Sequence, residues 1–200
     1  VPPQPYHHGD LRRTLLEAAR SSIESDGVEA LSLRQLAREA GVSHAAPSRH
    51  FRDKQALLDA LAEDGFTRLA AVLDEAAGME ATTGEKVRGR FDALTAAYVD
   101  FALEQPILLG LMFGMKHAPD ARAELIAAGQ ASMEVTVRVV IAAQESGIIR
   151  AGDPHRIALT AFATFHGIAT LASGGLLDGV PAAELVADAR DLLWTGIRAE

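Results

Sequence analysis

Apolar residues recur at intervals of three and four along almost the whole chain. That is the period of a helix with one buried face, not the alternation of a half-buried strand. Leu11, Leu15, Ala19 and Ile23 place a first helix over residues 10–25, and Gly27 stops it. Leu33, Leu36, Ala37 and Ala40 form the apolar face of a short second helix. Ser32 stands three residues before Gln35, the spacing of a capping box, and Leu31 with Leu36 fits a hydrophobic staple. Gly41 can take positive φ and end that helix. Val42 can plug the corner, and Ser43 is an N-cap for a third helix. This third helix would present Ser43, His44, Ala45, Ala46, Ser48 and Arg49 near its N-terminal end. Pro47 sits early in it, where a missing N–H costs least.

Downstream, Asp53 caps a fourth helix running to about residue 77, with Leu57, Leu58, Leu61, Leu69, Val72 and Leu73 on its inner side. Residues 78–84 read as a loop and residues 85–104 as a helix. Pro106 breaks the pattern and opens a short apolar helix. A long helix over residues 121–146 turns Leu125, Met133, Val137 and Val140 inward, and Arg122, Glu134, Arg138 and Glu145 outward. Asp153-Pro154 supplies an N-cap and a first-turn proline for the next helix, which Gly174-Gly175 ends. Pro181 opens the last helix, whose stripe is Leu185, Val186, Ala189, Leu192, Leu193 and Ile197. There is no alternating run and no internal repeat. The expected fold is therefore all-α, with about nine helices: an N-terminal three-helix head (residues 1–54), a linking helix and loop (55–84), and a C-terminal helical bundle for ligand binding and dimerisation (85–200). Small Ala37 followed by Gly41-Val42-Ser43 gives the head a helix-turn-helix arrangement, whose second helix enters the DNA major groove.

Charge changes the picture locally. The net charge of −8 is unpromising for a nucleic-acid binder. Residues 32–54, however, carry Arg34, Arg38, Arg49, Arg52 and Lys54 against only Glu39 and Asp53, with His44 and His50 in addition. A local positive patch is what a phosphate-facing surface needs. With no cysteine, disulfides and thiolate metal sites are excluded. No basic-then-apolar leader pattern opens the sequence, so the expected location is cytoplasmic. Residues 1–5 are proline-rich and expected to be disordered. Residues 157–177 carry no formal charge. Their glycines, four hydroxyls and His166, without flanking basic clusters, argue against a membrane span. They predict a helix buried on most sides, forming with the last helix half of a four-helix homodimer interface.

Residues 6–13 (YHHGDLRR) and 46–58 (APSRHFRDKQALL) closely resemble the DNA-binding domain of the TetR/AcrR family of bacterial transcriptional regulators. The resemblance implies phosphate contacts at His50 and Lys54. Ser43 and His44 become the base readers, with Ala45 and Ala46 near thymine methyls. Arg49 fits a phosphate or a guanine edge equally well. Ser32 and Arg34 complete the expected DNA-facing set. Ser48 stands where the family usually has a backbone-contacting tyrosine, which puts affinity and operator preference in question. Residues 97–114 and 165–172 resemble the C-terminal domain of a subgroup named for a Trp-His-Gly motif. Here Phe165 replaces the tryptophan, while His166 and Gly167 match.

Tyr98, Phe101, Met112, Phe113, Met133, Phe165 and His166 gather in the C-terminal half. Each alone reads as core packing. Together they suit an adaptable apolar pocket for a small organic effector. No catalytic constellation, cofactor motif or metal set is present, and the adjacent His7-His8 reads as part of an N-terminal arm. The expectation is a non-enzymatic, ligand-responsive repressor that binds a near-palindromic double-stranded operator as a homodimer, without a membrane. The alternative is an interaction protein of the same fold that has lost operator binding, for which Ser48 and the acidic total speak.

Overall fold

The computed structural model describes residues 8–78 and 83–199. The expected disordered start, His7 and part of the loop after residue 78 lie outside the described residues. Eight α-helices and two 3-10 turns make up the described chain: α1 (His8–Asp26), η1 (Val28–Ala30), α2 (Leu33–Glu39), η2 (Pro47–Arg49), α3 (Lys54–Ala77), α4 (Gly84–Glu104), α5 (Pro106–Lys116), α6 (Ala123–Glu145), α7 (Pro154–Ser173) and α8 (Ala182–Ile197). The all-α expectation holds. The one helix short of nine is the third, which is a 3-10 turn. An isolated antiparallel bridge, Ile149 to Arg198, is the β-type pairing among the described residues.

The chain separates into two compact units that are not contiguous in sequence: residues 1–65 with 107–126, and residues 66–106 with 127–200. In the first, Leu15, Ala19 and Ile23 of α1 are buried with Leu31, Leu36, Phe51, Leu57 and Leu61. The α5 segment belongs here as well. Glu24 of α1 accepts hydrogen bonds from the first-turn backbone N–H groups of Ile107 (3.4 Å) and Leu108 (2.8 Å). Those N–H groups have no partner inside their own helix, so a carboxylate there satisfies donors and favours the positive helix end. Met112 is fully buried. It lies so close to Gly65 that a Cβ at residue 65 would stand 2.6 Å from its sulfur.

In the second unit α7 packs against both α4 and α8. The Asp153 carboxylate caps α7 as predicted, accepting from the N–H of His155 and of Arg156. Val137, Val140 and Ala158 form one core cluster. Val87, Ala143 and Ile149 form another, with Ile157, Trp194 and Ile197 against it. Arg88 ties α4 to α8, donating to Asp191 at 2.7 Å while its guanidinium lies over the Trp194 ring.

One expectation about burial needs correction. Val72 is 38% exposed, because Phe66, Leu69, Leu73 and Ala77 take the inward positions of α3. Leu192 is 75% exposed and Leu159 is 55% exposed. Within this chain helix α7 buries Ala158, Phe165, Ile168 and Ala169, which leaves another face of its uncharged stretch open. Among the described residues, the single helix long and apolar enough to cross a membrane by length and composition is α6 rather than α7. Its Val135, Val137, Val139 and Val140 are all buried in the core.

Candidate functional site

The head's corner is built by local rules. Ser32 caps α2, its hydroxyl accepting from the Gln35 N–H at 3.2 Å. The reciprocal half of the expected capping box is absent, since the Gln35 amide donates forward to Glu39 at 2.8 Å. Gly41 takes φ 66. The Val42 N–H reaches the Ala37 carbonyl at 2.9 Å and the Gly41 N–H reaches that of Arg38 at 3.1 Å. This pair of bonds is the Schellman ending of a helix. It aims the chain into the next segment with little freedom.

That segment departs from expectation. If Ser43 preceded an α-helix, the first bond of that helix would run from the N–H of residue 47 to the Ser43 carbonyl. Pro47 has no N–H, so in that helix it would occupy a costly position; the observed 3-10 turn starts at Pro47 itself, where the missing N–H costs least. The Ser43 carbonyl instead accepts from Ala46 at 2.9 Å. The residue at the N-cap position of η2 is Ala46, with no side-chain cap, so Ser43 does not serve as the expected cap. Pro47 is buried, and Phe51 beyond it is 2% exposed.

Ser43, His44, Ala45, Ser48 and Arg49 are exposed, as are Ser32 and Arg34, whereas Ala46, His50 and Lys54 are half-buried. Lys54 donates to the Glu29 carbonyl at 3.0 Å, which fixes its ammonium beside η1. An ammonium has three donors, so this bond leaves capacity for a phosphate. The Arg12 guanidinium lies 5.7 Å from the Phe51 ring centroid, a contact with no signal in the spacing of the two residues. The exposed residues therefore ride on a backbone tied at both ends, with basic groups around it.

The other expected site is divided. Met112 and Phe113 belong to the unit that contains the head, whereas Tyr98, Phe101, Met133, Phe165 and His166 belong to the second unit. Within the latter, the Tyr98 hydroxyl and the His166 Nδ1 are 2.7 Å apart. Sequence reasoning misses Phe162. Its ring stacks on His166 at 5.1 Å and meets Tyr98 edge-on at 5.6 Å. A signal exists: Phe162 and His166 are four apart on one helix, hence neighbours on one face. Phe91 joins Phe165 at 6.2 Å and Trp194 at 6.0 Å. Burial pushes the Tyr98 hydroxyl up from its ordinary value of 10.0 and the His166 imidazole down from 6.5. Both shifts favour the neutral forms. A separate cleft of about 340 Å³, lined by Arg150, Asp153, Arg156, Thr160, Leu193 and Ile197 among others, includes none of the expected ligand residues.

A family model described as bacterial regulatory proteins, tetR family, matches residues 15–61, and one described as tetracyclin repressor-like, C-terminal domain, matches residues 91–193. The chain belongs to the tetR family. It is a transcriptional regulator of that family with a helix-turn-helix DNA-binding domain. The second match takes in Phe165, His166 and Gly167.

Among curated relatives, the HTH-type transcriptional repressor Rv1474c of Mycobacterium tuberculosis is 39% identical over 66 residues, which cover 33% of this chain and 35% of that protein. The regulator BetI of Escherichia coli is 33% identical over 115 residues, covering 50% and 59%. The chain thus matches between about a third and three-fifths of the length of these relatives. A solved structure of a protein of unknown function from Rhodococcus sp. RHA1 is 60% identical, with a TM-score of 0.88, covering 98% of this chain and 100% of that one. The tetR-family regulator PfmR from Thermus thermophilus shares the fold, with a TM-score of 0.68 at 21% identity, covering 90% and 97%.

Proposed function

We propose that this tetR-family protein is a ligand-responsive repressor. Two heads of a homodimer bind a near-palindromic operator, and a small, largely apolar molecule releases it. The observation that carries the reading is the row Ser43, His44, Ala45, Ser48 and Arg49, exposed on a segment anchored by the Schellman turn and the buried Phe51. Rigid presentation of short polar and methyl-bearing side chains suits base-edge contact, while His50 and Lys54 suit phosphates. The repressor sign is supported by the name of Rv1474c.

In the second unit, Tyr98, Phe101, Met133, Phe165 and His166 supply apolar surface with one hydrogen-bonding pair. A charged metabolite would need buried counter-charges to offset its desolvation. The effector class that fits is therefore an uncharged organic molecule. Ligand and operator must favour different conformations, and each then weakens the other by the same factor.

Selection from a random duplex library, followed by gel retardation, tests the DNA half. Half-sites should repeat at one helical turn, about 34–36 Å, or a multiple. His44→Ala should alter base preference, whereas Lys54→Ala should weaken all sequences alike and lower the salt slope by about one counterion. Retention of no duplex at low salt sinks the reading and favours the interaction protein. For the effector, a thermal-shift screen of hydrophobic compounds with and without operator should find reciprocal hits that Met133→Ala weakens.

A further inference from the structure

The recognition segment advances by three-residue hydrogen bonds. Ala46 donates to Ser43 at 2.9 Å, Arg49 to Ala46 at 3.2 Å and His50 to Pro47 at 2.9 Å. The four-residue bond in this run is the last, from Phe51 to Pro47 at 2.9 Å. The cause lies at one residue. Pro47 cannot donate to the Ser43 carbonyl, and in an α-helical winding its ring would collide with that carbonyl.

The winding decides which exposed side chains are neighbours. In three-residue winding, residues three apart eclipse. Arg49 then stands in line with Ala46, whose carbonyl its own N–H reaches. In an α-helix the neighbours would be four apart as well as three, drawing Ser48 toward His44 and Arg49 toward Ala45. A 3-10 turn also rises about 2.0 Å per residue against about 1.5 Å, so the same residues span a longer stretch of groove.

We propose that Pro47, itself buried and out of reach of DNA, is a specificity-determining positioning residue. By denying the segment its first four-residue bond, it sets which of His44, Ala45, Ser48 and Arg49 address the same base pair. The inference rests on the DNA-reading function proposed above.

The test compares the full-length wild type with Pro47→Ala and Pro47→Leu. Both variants restore the N–H, and the second also refills the buried volume. Each protein selects its preferred duplex from a random library. The expected result is a changed preference at one or more base pairs in each half-site. Each variant should favour its own sequence over the wild-type operator by about tenfold, the size of one mismatched pair. Affinity for non-specific duplex and its salt slope should stay unchanged, because the phosphate-facing cations are untouched. The amide of residue 47 in the variants should be protected from hydrogen exchange by the Ser43 carbonyl.

An unprotected amide, or identical preferences in all three proteins, overturns the proposal. So does loss of non-specific binding together with operator binding in a folded variant, and so does unfolding of both variants, since Pro47 would then serve only to hold the head together. A wild type that selects no sequence at all overturns the DNA-reading function instead, which separates the two failures.

Discussion

Tyr98 and His166, 68 residues apart, meet through a 2.7 Å hydrogen bond that joins α4 to α7. With the phenol protonated and donating, Nδ1 is the acceptor and the imidazole is neutral. Burial lowers the His166 pKa below 6.5 in the folded protein. The unfolded chain therefore takes up this proton first as pH falls. The contribution of the neutral pair is complete above the unfolded value and is lost as pH drops from about 6.5 toward the lower folded value. His166→Gln should flatten that part of the melting-temperature profile. Parallel wild-type and variant profiles across this window would refute the assignment.

Glu24 holds the first turn of α5 from 84 residues away. Glu24→Ala should cost about 1–2 kcal/mol, the range of a lost helix cap with a charge-dipole component. Amide exchange at Leu108 should accelerate selectively. Denaturant midpoints report the stability change, and unchanged exchange at Leu108 would show the contact to be idle.

Gly65 sits where α3 meets Met112, whose sulfur and Cγ would lie 2.6 Å and 2.9 Å from an added Cβ. Gly65→Ala gains about 1 kcal/mol in helix propensity. Overpacking a filled core costs about 1–3 kcal/mol, so the net effect should be destabilising. Met112→Ala opens the space, and the double variant should be more stable than the two single losses predict. Additivity within about 0.5 kcal/mol would place the two residues out of contact.

Leu192, 75% exposed on α8, lies on the face proposed to bury against a second copy, with Leu159 on α7 exposed at 55%. Large apolar side chains exposed on both helices of the proposed interface are what a partner would cover. Leu192→Asp should convert a dimer to a monomer in light scattering, with little change in helical circular dichroism. A wild type that is monomeric at micromolar concentration contradicts the interface.

Some features are legible because their causes act within one turn of chain. The Ser32 cap, the positive φ of Gly41, the Asp153-Pro154 start of α7 and the stop near Gly174 all sit where the sequence predicts them. The exposure of Ser43, His44, Ala45, Ser48 and Arg49 follows from the same local signals. Pro47 is visible in the sequence too, but its effect turns on its exact place: counted from Ser43 it would be the first obligatory donor of an α-helix, whereas in the structure it is the first residue of η2, behind Ala46.

The sequence by itself determined the helical period, the caps and breaks, the family resemblance and the identity of the exposed residues in the helix-turn-helix. Each depends on side chains within about four residues or on a contiguous motif. Only the tertiary structure decided that residues 107–126 join the head's unit, that Glu24 caps α5, that Phe162 stacks on His166 beside Tyr98, and that Val72 and Leu192 face outward. Amphipathic period tells which side of a helix is apolar. It does not tell which neighbour covers it, because that depends on how long segments close on one another and which of several apolar faces finds a partner first.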